Sequence, residues 1–177
     1  MKKKKLAHKS GLKSYNMDKI LGLFYENPGG KFTIREMEKN TKIPKSTIQK
    51  YLEFLKESGL INKDNTANEN LFFKTKKINF YIEKIVSSGL IDELIKKLNP
   101  LCIILFGSIR KGESDKESDL DLFIETYSKN KINLSEFEKK LGHRISIFSE
   151  TKIIKLHDDL FNNVVNGIKL YGSFKIR

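Results

Sequence analysis

The strongest constraint on how this chain can fold is a spaced pattern in its second half. Leu101-Cys102-Ile103-Ile104-Leu105-Phe106 is apolar throughout, as expected of a strand buried on both faces. It runs directly into Gly107-Ser108-Ile109-Arg110-Lys111-Gly112, and after five residues Ser118-Asp119-Leu120-Asp121-Leu122 opens a second apolar run, Phe123-Ile124. The pattern G-S-x3-G-x5-S-D-x-D-L is therefore split across two strands. Gly107 lets backbone approach a phosphate closely. Ser108, at the start of a helix after the strand, offers a hydroxyl and backbone N–H groups to the same ligand. Gly112 lets the chain leave that helix. Arg110 and Ser118 complete the candidate phosphate contacts, although a solvated helix face explains Arg110 equally well. Asp119 and Asp121 alternate on a strand, so their side chains share one face with Cα atoms roughly 6.5–7 Å apart. Carboxylates so placed can converge on two magnesium ions about 3.5–4 Å apart, the arrangement used for in-line phosphoryl transfer.

The full pattern, far more than the D-x-D alone, resembles the DNA polymerase beta superfamily of nucleotidyltransferases, and most closely its smallest branch, the minimal nucleotidyltransferases. The resemblance runs from about Leu90 to the end of the chain. It takes in a helix over Ser135–Leu141, a strand over Arg144–Phe148 and the tail Gly167-Ile168-Lys169-Leu170-Tyr171-Gly172. It implies that Gly107 and Ser108 hold a nucleotide's phosphates, that Asp119 and Asp121 bind two Mg2+ ions, and that an NTP is substrate or ligand. One position departs from the family. Its third carboxylate lies on a later strand after a Leu-Gly pair, and Leu141-Gly142-His143-Arg144-Ile145-Ser146-Ile147 puts Ser146 there. Losing a catalytic base costs about 10²–10⁴-fold in rate. Glu125, on the strand face of the two aspartates, and Glu150 are the acidic alternatives. His143 and His157 lack metal-ligand spacing and read as surface histidines. Small members of the family often modify a protein, and some act as antitoxins that nucleotidylate a partner toxin, so a protein acceptor is an implied partner.

The first half carries a different signal. The chain has a net charge of +12, and residues 1–80 hold +10 of it. Nucleic acid is the commonest partner for such asymmetry, although a lysine-rich solubilising surface gives the same count. Residues 1–13 read as a basic disordered tail. From Asn16, an expected N-cap, Met17, Ile20, Leu21 and Phe24 form a helical stripe ended by Asn27-Pro28-Gly29-Gly30. Thr33-Ile34-Arg35-Glu36 reads as a capping box. Pro44 suits the first position of a third helix, whose stripe is Ile48, Tyr51, Leu52 and Leu55. Leu60–Lys63 and Leu71–Lys74, around the polar loop Asp64–Asn70, are expected to form a hairpin. Three helices and a hairpin over residues 14–76 resemble the winged helix-turn-helix domains. That resemblance implies DNA binding through the exposed Lys45, Ser46, Thr47, Gln49 and Lys50 of the third helix. The same fold used for dimerisation is the competing reading.

Lys74–Lys77 is expected to be a charged joint. After it, Ile78, Ile82, Ile85 and Val86, and then Leu90, Ile91, Leu94, Ile95 and Leu98, form two core-facing helical stripes. The expected fold class is thus α+β: a winged helix-turn-helix followed, over residues 77–177, by a small mixed-sheet nucleotidyltransferase domain with flanking helices. Cys102, in an apolar run, reads as a buried small hydrophobe. No stretch reaches the ~18 apolar residues of a membrane span, and no apolar core follows the opening lysines, so a cytoplasmic location is expected. Two functions from different classes fit: a transferase coupled to DNA binding, or a DNA-binding transcription regulator whose nucleotidyltransferase domain senses a nucleotide.

Overall fold

The computed structural model describes residues 15–176; the tail expected over residues 1–13 lies outside them. The chain divides into two compact units at Lys76/Lys77.

The first unit begins with α1, residues 15–26, which buries Ile20, Leu21, Phe24 and Tyr25. The helix is already under way at Tyr15, so Asn16 lies inside it and is not its cap. Helix α2 (Ile34–Thr41) has the capping box read from its sequence: Glu36 N donates to Thr33 Oγ1 at 3.3 Å, and Thr33 N donates to Glu36 Oε2 at 2.7 Å. Helix α3 (Lys45–Glu57) buries Ile48, Leu52 and Leu55. Pro44 is its N-cap, one position earlier than expected, and its carbonyl accepts from Thr47 N and Ile48 N.

The expected hairpin is reduced to a single bridge between Ile61 and Ala67. Its intended second arm, Leu71–Lys74, is instead the first turn of α4 (Leu71–Ser87). Asn side chains decide this. Asn62 Nδ2 donates to Ala67 O, and Asn68 Nδ2 and Asn70 Nδ2 both donate to Gly59 O, which closes the loop on itself. Asn70 Oδ1 then accepts from Phe73 N at 2.9 Å, satisfying a donor that a helix start otherwise leaves open. The expected charged joint likewise lies inside α4. The buried positions of that helix are Phe73, Lys77, Tyr81 and Ile85, spaced by four, while Val86, assigned to the core from its stripe, is 54% exposed.

In the second unit α5 (Leu90–Leu98) precedes β1 (Cys102–Phe106), α6 (Gly107–Lys111) and β2 (Leu120–Glu125). Then come α7 (Ser135–Leu141), β3 (Ile145–Glu150), a 3-10 turn at Ile153–Lys155, α8 (Asp158–Val165) and β4 (Ile168–Gly172). The four strands form one mixed sheet in the order β3-β2-β1-β4, with β2 and β3 parallel and the other pairs antiparallel. Strand β1 is buried at every residue, as its unbroken apolar run requires. On one face Cys102, Ile104, Phe106 and Phe123 pack with Ile153 and Val164, joined by Leu156, Leu160, Phe161 and Phe174. Burial pushes the Cys102 thiol up to about 11, which keeps it protonated and inert. Thr126 Oγ1 donates to Leu98 O at 2.7 Å and ties the end of α5 to the end of β2. Among the described residues no helix is long and apolar enough to cross a membrane.

The loop architecture yields a test. Asn70→Ala removes the cap of α4 and a tether to Gly59, and should lower stability by about 0.5–2 kcal/mol in urea denaturation. An unchanged midpoint would mean that α4 does not begin where the cap places it.

Candidate active site

The antiparallel register of β1 and β2 sets Phe106 opposite Asp121. Gly107, the next residue, therefore lies against the aspartate. Its φ is +73°, a conformation that favours glycine, and a Cβ built there would overlap Asp121 Oδ2. Glycine is required twice over at this position, once for backbone conformation and once for room. Asp119 sits one residue before β2, so alternation brings it to the face of Asp121, while Leu120 and Leu122 point into the opposite, buried side.

The parallel register of β2 and β3 sets Ser146 beside Asp121. The Ser146 hydroxyl donates to Asp119 Oδ2 at 3.1 Å. Three side chains from two chain segments thus converge: two carboxylates and one hydroxyl. Burial, and then the neighbouring Asp119 charge, hold the Asp121 carboxyl above the ordinary carboxylate range. Among the described residues no lysine, arginine or histidine forms an ion pair with either aspartate. The pair is a concentration of negative charge with an uncompensated component.

Neither acidic alternative reaches this point. Glu125 lies four residues along the strand, about 13 Å from Asp121 at ~3.3 Å per residue. It is buried, and its Oε2 accepts from Ile153 N at 2.9 Å. Glu150 is its register partner on β3, with Oε2 accepting from Thr151 N. Both carboxylates serve the far end of the sheet. No group of three or more His, Cys, Asp or Glu able to hold a metal occurs among the described residues. Magnesium, however, is usually bound through one or two carboxylates, with substrate phosphates and waters supplying the rest. Asp119 and Asp121 fit that donor set, which is open for a phosphate ligand and does not form an all-protein cage.

The remaining candidates fall around the pair. Ser108 and Arg110 are partly buried on α6, and Gly112 (φ +70°) ends it. Ser118 contributes mainly to the loop. Its hydroxyl donates to Asp115 Oδ1 and accepts from Asp115 N, both at 2.9 Å, and it holds the Asp115 carboxyl below its usual value. His143 is no surface residue: it is 4% exposed, its Nδ1 lies 2.7 Å from Ser118 O, and its ring meets Tyr81 edge-on. The parallel β2–β3 crossover returns the chain beneath the loop, which a spacing argument for metal ligands does not register. His157 is exposed. Lys77, also missed by the sequence reading, is fully buried and donates to Ser114 O. Its only sequence signal is the spacing by four with Phe73, Tyr81 and Ile85. On α3, Lys45, Ser46, Gln49 and Lys50 are exposed and Thr47 is partly so; Lys45 pairs with Glu38 at 3.5 Å.

Two outcomes follow from the Gly107–Asp121 contact. Gly107→Ala should destabilise by about 1–2 kcal/mol from conformation alone, and by less in an Asp121→Ala background than in the native one; equal costs would refute the steric contact. Because the folded-state carboxyl of Asp121 is raised, the folded chain binds more protons than the unfolded chain between the ordinary carboxylate value and the raised one. Metal-free stability therefore falls as pH rises through that window. Asp121→Asn removes this penalty, and in EDTA at pH 7 should raise Tm. A lower Tm would show that the carboxylate is stabilising.

No curated protein and no solved structure matches the chain. Residues 89–174 match the model of the family described as Polymerase beta, Nucleotidyltransferase. That span contains the four strands and every member of the carboxylate site. The match supports a nucleotidyltransferase domain in the second unit, with Gly107, Asp119 and Asp121 at the end of its central strands.

Proposed function

We propose that the chain is a Mg2+-dependent nucleotidyltransferase that moves a nucleoside monophosphate from an NTP to an acceptor hydroxyl. The α-phosphorus–acceptor oxygen bond forms, the bond to the bridging α–β oxygen breaks, pyrophosphate leaves, and the acceptor hydroxyl's proton passes to solvent. The observation that carries this reading is the meeting of Asp119 and Asp121 beside Gly107, without an ion-pair partner among the described residues. Bound there, Mg2+ supplies Lewis-acid charge to the triphosphate oxygens. Asp119 and Asp121 are its ligands, as one ion or as the pair of ions inferred from their spacing. Gly107, Ser108, Arg110, Gly112 and Ser118 form the phosphate side of the site. Ser146 keeps Asp119 aimed through its hydrogen bond, but an alcohol is no general base near neutral pH, and turnover is correspondingly slow.

The resemblance to small nucleotidyltransferases that modify proteins makes a protein hydroxyl, on a partner such as a toxin, one acceptor class to test. The first unit is a winged helix-turn-helix with a shortened wing, and binds DNA through Lys45, Ser46, Thr47, Gln49 and Lys50, as a monomer or a homodimer in the cytoplasm. Its exposed donors and the concentration of positive charge in residues 1–80 support this. A second reading is favoured by Ser146 itself: a transcription regulator whose nucleotidyltransferase domain binds NTP without turnover.

Incubation with each α-³²P-labelled NTP and Mg2+ separates the two. Label on protein that Asp119→Asn/Asp121→Asn abolishes supports the transferase, and Ser146→Asp should then raise labelling by about 10²-fold or more, the lower range for restoring a base. Mg2+-dependent NTP binding without label selects the regulator. For the first unit, Lys45→Ala and Lys50→Ala should each weaken DNA binding across all sequences and reduce the salt slope by about 1. Salt slopes identical to that of the unaltered chain would remove α3 from the DNA interface.

A further inference from the structure

Burying a lysine is costly unless its ammonium is hydrogen-bonded, and Lys77 is completely buried within the second unit. Its Nζ donates to the carbonyl of Ser114, itself buried, in the loop between α6 and β2. Four residues further along that loop, the carbonyl of Ser118 meets His143 Nδ1 at 2.7 Å. A carbonyl only accepts, so the proton at this contact sits on Nδ1. Tyr81, one helical turn beyond Lys77 on α4, packs its ring edge-on against His143 at 5.3 Å. Lys84, a further turn along, donates to Leu141 O at 2.7 Å, just ahead of His143. Between the two anchored carbonyls, Asp115 and Ser118 close a turn on each other. The chain leaves Ser118 straight into Asp119.

We propose that Lys77 and His143 are positioning residues for the metal-binding aspartates. They grip the 114–118 loop by two carbonyls from beneath, and so set where Asp119 emerges relative to Asp121. Neither touches the carboxylates; they act through the loop. This rests on the reading of Asp119 and Asp121 as a divalent-cation site. It adds a hydrogen-bonded underlay drawn from α4 and from the segment leading into β3. The physical reason for using charge here is directional. A buried ammonium holds a carbonyl more firmly than apolar packing does, because a hydrogen bond to a charged donor is directional and about twice as strong as a neutral one. Partners of this kind behind metal ligands typically change metal affinity by 10–100-fold when removed.

The test is a Mn2+ titration of the full chain followed by electron paramagnetic resonance, with thermal melts of every variant. The variants are Lys77→Met, His143→Leu, His143→Asn and the Asp119→Asn/Asp121→Asn control. Mn2+ binding by the unaltered chain that the control abolishes establishes the cation site. On that footing, Lys77→Met and His143→Leu should remain folded at 25 °C and bind Mn2+ about 10-fold or more weakly. His143→Asn, whose Nδ2 can donate where Nδ1 did, should recover most of the affinity. Should Lys77→Met fail to fold, the His143→Leu and His143→Asn pair decides the matter. Affinities equal to that of the unaltered chain in the folded variants would overturn the positioning role while leaving the cation site intact. Absence of Mn2+ binding by the unaltered chain would overturn both.

Discussion

Everything at the carboxylate site follows from how β2 is registered against its neighbours. Side chains alternate along a strand, so a slip of one residue would turn Asp119, Asp121 and Phe123 from one face of the sheet to the other. The antiparallel pairing with β1 opposes Phe106 to Asp121 and so brings Gly107 against the carboxylate. The parallel pairing with β3 puts Ser146 at the same level. The register is itself held by apolar burial, with Cys102, Ile104, Phe106 and Phe123 packed on one side and Leu120, Leu122 and Ile124 buried on the other. Two like charges are forced together because that core outweighs their repulsion.

The resulting site is under electrostatic tension. Burial and Asp119 both disfavour the ionised form of Asp121. A divalent cation reverses the sign of that contribution, since each carboxylate then gains an opposite charge in place of a like one. A hydroxyl at position 146 leaves the pair with less negative charge than three carboxylates would. It donates a hydrogen bond that aims Asp119. Orientation is thus kept where charge is given up.

Beneath the site, polar groups take positions that would ordinarily be apolar. Lys77 occupies the core face of α4 between Phe73 and Tyr81, and His143 is buried beside Tyr81. Replacing buried charge by apolar residues often stabilises a fold, so burial of a lysine against the Ser114 carbonyl is not accounted for by stability alone. Polar contacts in the first unit include caps and turn closures, such as the Thr33–Glu36 box and the Asn62–Asn68–Asn70 loop.

Short-range physics made part of this legible from residues alone. Periodicity located the first three helices. The unbroken run Leu101–Phe106 read as a doubly buried strand, and the spacing of Gly107, Asp119 and Asp121 marked a shared face, because those signals depend on neighbours within a few residues. The same local logic failed at Leu71–Lys74, where apolar β-formers suggest a strand and Asn70 caps a helix instead. It failed again at Lys77 and His143, whose burial depends on a loop and a crossover distant in the chain. Sequence by itself determined which residues carry charge and which face of each element they occupy, since strand and helix periods are set by backbone geometry. Only the tertiary structure decided that Glu125 and Glu150 stand away from the site, that Ser146 meets Asp119, and that Gly107 makes room for Asp121. Strand pairing joins residues remote in the chain, and its register is fixed by the burial of the whole sheet.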